Sequence, residues 1–297
     1  MMSKHVTALI ALLTLISGVS VPAVAQSPFN MPPMGESQFG PYSPGPYGMQ
    51  SASQDSSGIG QSQMPTDVTP TGLGSGGASG YEDMYRRAVI RNSLTFQKKM
   101  NSGRVAFGRQ MENQYFNTKY WEPVYLTGTQ YWKLKDGVSK ANALEDFISA
   151  GGGKYKIDCA AAINLILLKS KMDVVGEPCF NRHLPLLVIR GWKIYTLKDG
   201  NVEEYKTLEK WSGNEYMPGT VDGLKTGDYV YFKNHPMMEG TPEQGENAIY
   251  LGKDSWGRPV FFGLNIGIFR GLFHQYGILS SERGSVDPEA LKKMAES

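Results

Sequence analysis

Residues 26–80 constrain what this chain can fold into more than any other feature. After Gln26 they read SPFNMPPMGESQFGPYSPGPYGMQ, then SASQDSSGIGQSQ, and close on GLGSGGASG. Their only charges are Glu36, Asp55 and Asp67, with no Lys or Arg. Pro/Gly/Ser/Gln composition buries too little apolar surface to offset the backbone entropy lost on folding, so a disordered tether is expected. Phe29, Phe39, Tyr42 and Tyr47 offer docking points for a partner, but a plain tether is the simpler reading. One domain's worth of chain remains, residues 81–280, and 281–297 reads as a polar C-terminal tail.

Upstream lies a secretory signal over residues 1–25. Lys4 and His5 precede an apolar run, Val6 to Ile16, too short to span a bilayer, and Ala23-Val24-Ala25 is a small-x-small cleavage site. A retained anchor is the alternative. No Cys lies near the cleavage point, which excludes lipid anchoring through an N-terminal cysteine. The mature chain is expected in the periplasm or secreted. It should hold no integral membrane segment, because no later apolar run approaches ~20 residues. With 30 Lys+Arg against 28 Asp+Glu, nothing points to a nucleic-acid partner. Two Cys form neither a disulfide framework nor a four-thiolate zinc site, and no cofactor is expected.

Within the domain, Tyr81 to about Glu112 is a helix candidate, made basic by Arg86, Arg87, Arg91, Lys98, Lys99, Arg104 and Arg109. It could hold an anionic cell-wall polymer; a solvated helix face is the simpler reading. A second helix is expected over Lys140 to Ser149, stopped by Gly151-Gly152-Gly153. A third, Cys159 to Met172, is nearly all apolar and so belongs in the core. LPLLVIRGWKIYTL, GDYVYFK, ENAIYLG and PVFFGLNIGIF then read as strands separated by Gly- and Asp-rich turns. Helices followed by antiparallel strands make an α+β layout.

Cys159 carries the chemistry. It opens the apolar helix directly after Asp158, where the positive end of the dipole favours a thiolate. A buried small hydrophobe is the bland alternative. About 70 residues later, GDYVYF (Gly227 to Phe232) precedes Glu246-Asn247-Ala248-Ile249-Tyr250-Leu251-Gly252.

That succession resembles the papain-like core of NlpC-type cell-wall peptidases, with Glu246 in place of their histidine. A glutamate there is the feature of the bacterial spore-coat transglutaminases, which the chain also resembles in QYWKL (Gln130 to Leu134), SKANALEDF (Ser139 to Phe147) and DCAAAI (from Asp158). VGEPCFN (Val175 to Asn181), GDYVYFKN (Gly227 to Asn234) and GENAIYLG (Gly245 to Gly252) continue the match in order. It runs from about Tyr120 to about Phe269, and its specificity lies in the joint order of weak motifs. Signal, tether and basic helix have no counterpart.

The resemblance implies a protein-glutamine gamma-glutamyltransferase. Cys159 matches the nucleophile and Glu246 its carboxylate partner, while Asp158 stands where the family has a second glutamate. A family histidine falls at Leu264, and His183, His235 and His274 lie elsewhere. The implied substrates are proteins with accessible Gln and Lys; a cell-wall or envelope partner reached through the tether or basic helix is a separate reading, from composition alone. Reference pKa values of about 8.5 for Cys and about 4.3 for Glu make proton transfer uphill by ~6 kcal/mol. Burial of Glu246 and the dipole at Cys159 are expected to narrow that gap. The helix amides after Cys159 are candidate oxyanion donors.

Two other classes stay open: a hydrolase on the same core, cutting cell-wall peptides or deamidating glutamine, and an inactive scaffold. A Cys159–Cys179 disulfide, closing a loop of about 20 residues, would remove the nucleophile.

Overall fold

The computed structural model describes residues 80–108, 114–126, 129–199, 201–212, 219–241, 244–274 and 277–297. The expected signal and tether, and Arg109 of the basic segment, lie outside these residues.

The first helix, α1 (Gly80–Asn101), ends earlier than the expected Glu112. Gly103 adopts φ +69°, a left-handed geometry that closes a helix at little cost, and β1 (Val105–Phe107) follows. Two of the helix's cations face inward. Arg86 is buried, pairs with Glu82 at 2.5 Å and lies 3.6 Å from Asp228; Lys99 is buried, donates to the Asp146 carbonyl and sits 4.5 Å above the Tyr155 ring. This helix is therefore an internal clamp as well as a surface; Arg87, Arg91 and Lys98 remain exposed.

Strands β2 (Trp121–Leu126) and β3 (Thr129–Leu134) form a hairpin before α2 (Lys140–Ile148), so helices and strands interleave more than the sequence suggested. Ser139 caps α2, its hydroxyl accepting from the Asn142 amide at 3.1 Å. From α2, Asp146 accepts from Asn117 Nδ2, the Gly153 amide and the Tyr155 hydroxyl at 2.9, 3.0 and 2.8 Å. These bonds fix the glycine turn that leads into β4 (Tyr155–Ile157), which pairs in parallel with β1.

Helix α3 (Cys159–Val175) is the centre of the core. Leu165, Ile166, Leu167 and Leu168 are all fully buried, each worth roughly 1.5–3 kcal/mol in transfer terms. Its lysines are buried with partners: Lys169 pairs with Asp173, and Lys171 pairs with Glu209. Helix α4 (Glu177–His183) follows. Strands β5 (Val188–Arg190), β6 (Lys193–Lys198) and β7 (Asn201–Tyr205) extend the hairpin into a five-stranded antiparallel sheet, β2-β3-β5-β6-β7.

A second sheet has order β12-β11-β10-β9-β14-β13, with β8 (Lys210–Trp211) added beside β14. Its strands are β9 (Tyr229–Lys233), β10 (Gly245–Lys253), β11 (Pro259–Gly263), β12 (Gly267–Arg270), β13 (Phe273–His274) and β14 (Gly277–Ser285). On β10 the strand period of two sends Ile249 and Leu251 towards the α3 core and Ala248 and Tyr250 into a separate cluster with Phe232 and Phe261.

Residues 281–297 were expected as a polar tail. Instead they complete β14 and form α5 (Pro288–Glu296), whose Leu291 and Met294 are buried in the main core. An amphipathic helix of nine residues has too few apolar positions to stand out in a polar sequence. Leu291→Ala is expected to cost ~2–5 kcal/mol, measured as a shift of the urea midpoint at constant slope. Among the described residues no helix is long and apolar enough to cross a membrane.

Candidate active site

Asp158 and Cys159 stand at the junction between β4 and α3. Asp158 is the N-cap: its Oδ1 accepts from the Ala160 and Ala161 amides at 2.8 and 3.4 Å. Those amides, the expected oxyanion donors, are therefore engaged by the cap. Cys159 opens on a cavity of about 640 Å³, lined also by Asp158, Tyr229, Tyr231, Trp211 and Asn247.

The side chain that meets the thiol is Asn247. Its Nδ2 donates to Cys159 Sγ at 2.9 Å, and its Oδ1 accepts from the Tyr229 hydroxyl at 2.5 Å. The tyrosine thereby orients the amide. Burial lifts the Tyr229 pKa far above its ordinary value, so the hydroxyl stays a donor.

Glu246 precedes Asn247 and, by the strand period, points to the opposite face of β10, with Ala248 and Tyr250. It is fully buried, and Asn265 holds it from the β11–β12 turn, the side chain donating at 2.7 Å and the backbone amide at 3.2 Å. Burial pushes its carboxyl up to about 7 against the hydrogen bonds of Asn265, with the nearby Asp158 adding to the rise. The structure thus gathers Asp158, Cys159 and Asn247 at the cavity and keeps Glu246 behind the strand, close enough for its charge to reach the sulfur.

The thiol departs from the dipole argument. Burial first, then the charges of Asp158 and Glu246, raise Cys159 to about 12, and the hydrogen bonds from Asn247 offset only part. The capping carboxylate that secures the helix start also opposes a thiolate there. At neutral pH the Cys159 thiol therefore keeps its proton.

Both cysteines are free. Cys159 begins the 17-residue α3 and Cys179 lies beyond its end, so about 25 Å of helix separates them, far beyond disulfide reach. Among the described residues no histidine is hydrogen-bonded to the thiol. His183 meets Ser297, His274 packs on Phe232 and Phe269, and His235 caps a short 3-10 turn at the cavity. Leu264 is buried, and its backbone bonds to Glu246. Sequence reasoning missed Asn247, Tyr229 and Asn265. Strand alternation in ENAIYLG would have paired Asn247 with Ile249 on the α3 face, but Asn265 needed the turn geometry.

A cysteine at the head of a core helix, packed on an antiparallel sheet that supplies a polar partner, is the arrangement of papain-like cysteine enzymes. The family model described as protein-glutamine gamma-glutamyltransferase matches residues 81–272, and the chain belongs to that transglutaminase family. A protein-glutamine gamma-glutamyltransferase of Bacillus mycoides (strain KBAB4) is 30% identical over 161 residues, 54% of this chain and 49% of that protein. One of Bacillus cereus (strain 03BB102) is 29% identical over the same shares. The chain spans about half the length of the curated relatives it matches. The solved transglutaminase from Geobacillus stearothermophilus, without its C-terminal extension, superposes with a TM-score of 0.52 at 22% identity, over 72% of this chain and 95% of that one. That is a likeness of fold.

Proposed function

We propose that the chain is a protein-glutamine gamma-glutamyltransferase that joins Gln and Lys side chains through a Cys159 thioester. The observation that carries the reading is the thiol itself, held on an aromatic-walled cavity by Asn247 in a chain of this family. The Cys159 sulfur attacks the glutamine carboxamide carbon, the thiol proton goes to the departing nitrogen, and ammonia leaves. A lysine amine then attacks the thioester; the C–S bond breaks, the amide forms and the thiol regains a proton.

Glu246 is the base in this reading, supported by a carboxyl held near 7, within the operating range of a general acid–base group. It makes no hydrogen bond to the thiol, so it takes the thiol proton through water and passes it on to the departing nitrogen. The thiol near 12 and the carboxyl near 7 stand about 5 pH units apart, or ~7 kcal/mol. That gap favours proton loss as the S–C bond forms over a thiolate made in advance. Asn247 Nδ2, already aimed at the sulfur, is the side-chain donor proposed for the oxyanion that develops beside it. Asp158 serves chiefly as the cap. The signal-like N-terminus supports action outside the cytoplasm, on proteins of the envelope or surroundings, with the segment 26–80 as a tether and residues from 81 onward as the catalytic domain.

The test is incorporation of a labelled primary amine into a glutamine protein. Stable labelling is expected, rising through about pH 7 as Glu246 ionises, and further as the amine loses its proton towards ~10.4. Ammonia release without labelling would assign the chain to glutamine deamidation instead.

A further inference from the structure

The cavity wall formed by β14 carries an acid that the acyl-transfer steps above do not use. Strand β14 shifts register against β9 between Leu279 and Arg283, which sets Gly284 opposite Tyr229. Glu282, two residues before Gly284, shares that face and lines the cavity with Cys159, Tyr229 and Trp211. A Cβ on Gly284 would meet the Trp211 ring at 3.0 Å, so the missing side chain lets the indole pack onto β14. There its ring centroid lies 5.3 Å from that of Tyr229.

The Glu282 carboxylate accepts no hydrogen bond and joins no ion pair among the described residues; its backbone amide donates to Ser280 Oγ at 3.2 Å. Burial raises its carboxyl, and the charge of Lys233 on the same face of β9 pulls it back. Its charge reaches Tyr229, the residue that orients Asn247 at the thiol. The cavity's other acids are occupied or outward: Asp158 caps α3, Glu204 pairs with Lys193 at 2.5 Å, and Glu239 is exposed.

An unpaired, half-buried acid beside two aromatic rings suits a cation carried on an alkyl chain, the ring faces taking the methylenes and the carboxylate the charge. We propose that Glu282 receives the ammonium of the acceptor amine, with Tyr229 and Trp211 against its methylene chain, and so favours cationic primary amines as the nucleophile that resolves the thioester. The inference rests on the acyl-transfer reading above. The bound ammonium gives one proton to water and its neutral nitrogen attacks the thioester carbon. As the C–S bond breaks, a second N–H proton passes to the Cys159 sulfur.

The test compares two nucleophiles with one blocked glutaminyl-glycine donor: n-butylamine, a cation at neutral pH, and hydroxylamine, which is largely uncharged there. The readout is the ratio of kcat/KM for butylamine to that for hydroxylamine, taken within each variant so that a general loss of activity does not move it. In Glu282→Gln and Glu282→Ala the ratio is expected to fall by about tenfold or more, through the KM for butylamine, the scale of a hydrogen bond to a charged group. Glu282→Asp should recover part of it. An unchanged ratio in Glu282→Gln overturns the assignment of Glu282 alone. A wild-type protein that forms neither the butylamide nor the hydroxamate overturns the acyl-transfer reading, and this inference with it.

Discussion

Cys159→Ala is expected to abolish amine incorporation while the protein stays folded. Alanine offers no atom that can form the thioester, and the sulfur is the group that Asn247 addresses at the cavity. The fold should survive because the helix start depends on Asp158, whose carboxylate and its two amide bonds are untouched. Asn247 loses its bond to sulfur and keeps Tyr229, which limits the destabilisation to about 0.5–1.5 kcal/mol. Circular dichroism melting alongside the assay separates loss of chemistry from loss of fold. Cys179→Ala is the control: it lies past the far end of α3, a helix about 25 Å long that begins at Cys159, and should leave incorporation intact. Wild-type-level labelling by Cys159→Ala would sink the enzyme reading.

Glu246→Gln carries the second large effect, and it has two signs. Activity is expected to fall by about 10²–10⁴-fold, the usual cost of removing a positioned general base. Stability is expected to rise at neutral and higher pH. The carboxyl moves from 4.5 to about 7 on folding, so the folded state holds its proton more tightly than the unfolded one. Wild-type stability therefore declines as pH rises from about 4.5 to about 7 and is flat beyond, a loss of at most about 3 kcal/mol. Glutamine carries no charge and escapes that loss, less whatever it forfeits in the hydrogen bonds from Asn265. Urea titrations at pH 4 and pH 8 should show the mutant's advantage only at the higher pH.

Asp158 is poorly placed to rescue the Glu246 mutant, since its Oδ1 is committed to the amides of α3. If Glu246→Gln runs at the wild-type rate and Asp158→Asn is inactive, the base is Asp158 at the cavity, not the glutamate behind β10. If both run and a His235 mutant does not, the carboxylate mechanism is wrong.

Much of this protein was legible in its residues. An apolar stretch from Cys159 to Met172 with a preceding Asp can satisfy its backbone and bury its side chains in few ways other than a capped core helix, and it does so. The strands GDYVYFK and ENAIYLG also announce themselves, because a period of two and β-branched or aromatic residues are local properties. The tertiary structure decided what no local pattern carries. Burial is a property of the assembled core, so it alone could show that Arg86 and Lys99 turn inward and that Leu291 belongs to the core. It also reversed the expectation for the thiol: helix position argues for a lower pKa, but desolvation and two nearby carboxylates act over distances that the chain order does not show. Adjacent letters in a strand face opposite ways. Glu246 and Asn247 are neighbours in sequence, yet packing of α3 against one face of β10 gives the sulfur to the asparagine and leaves the glutamate buried behind the strand.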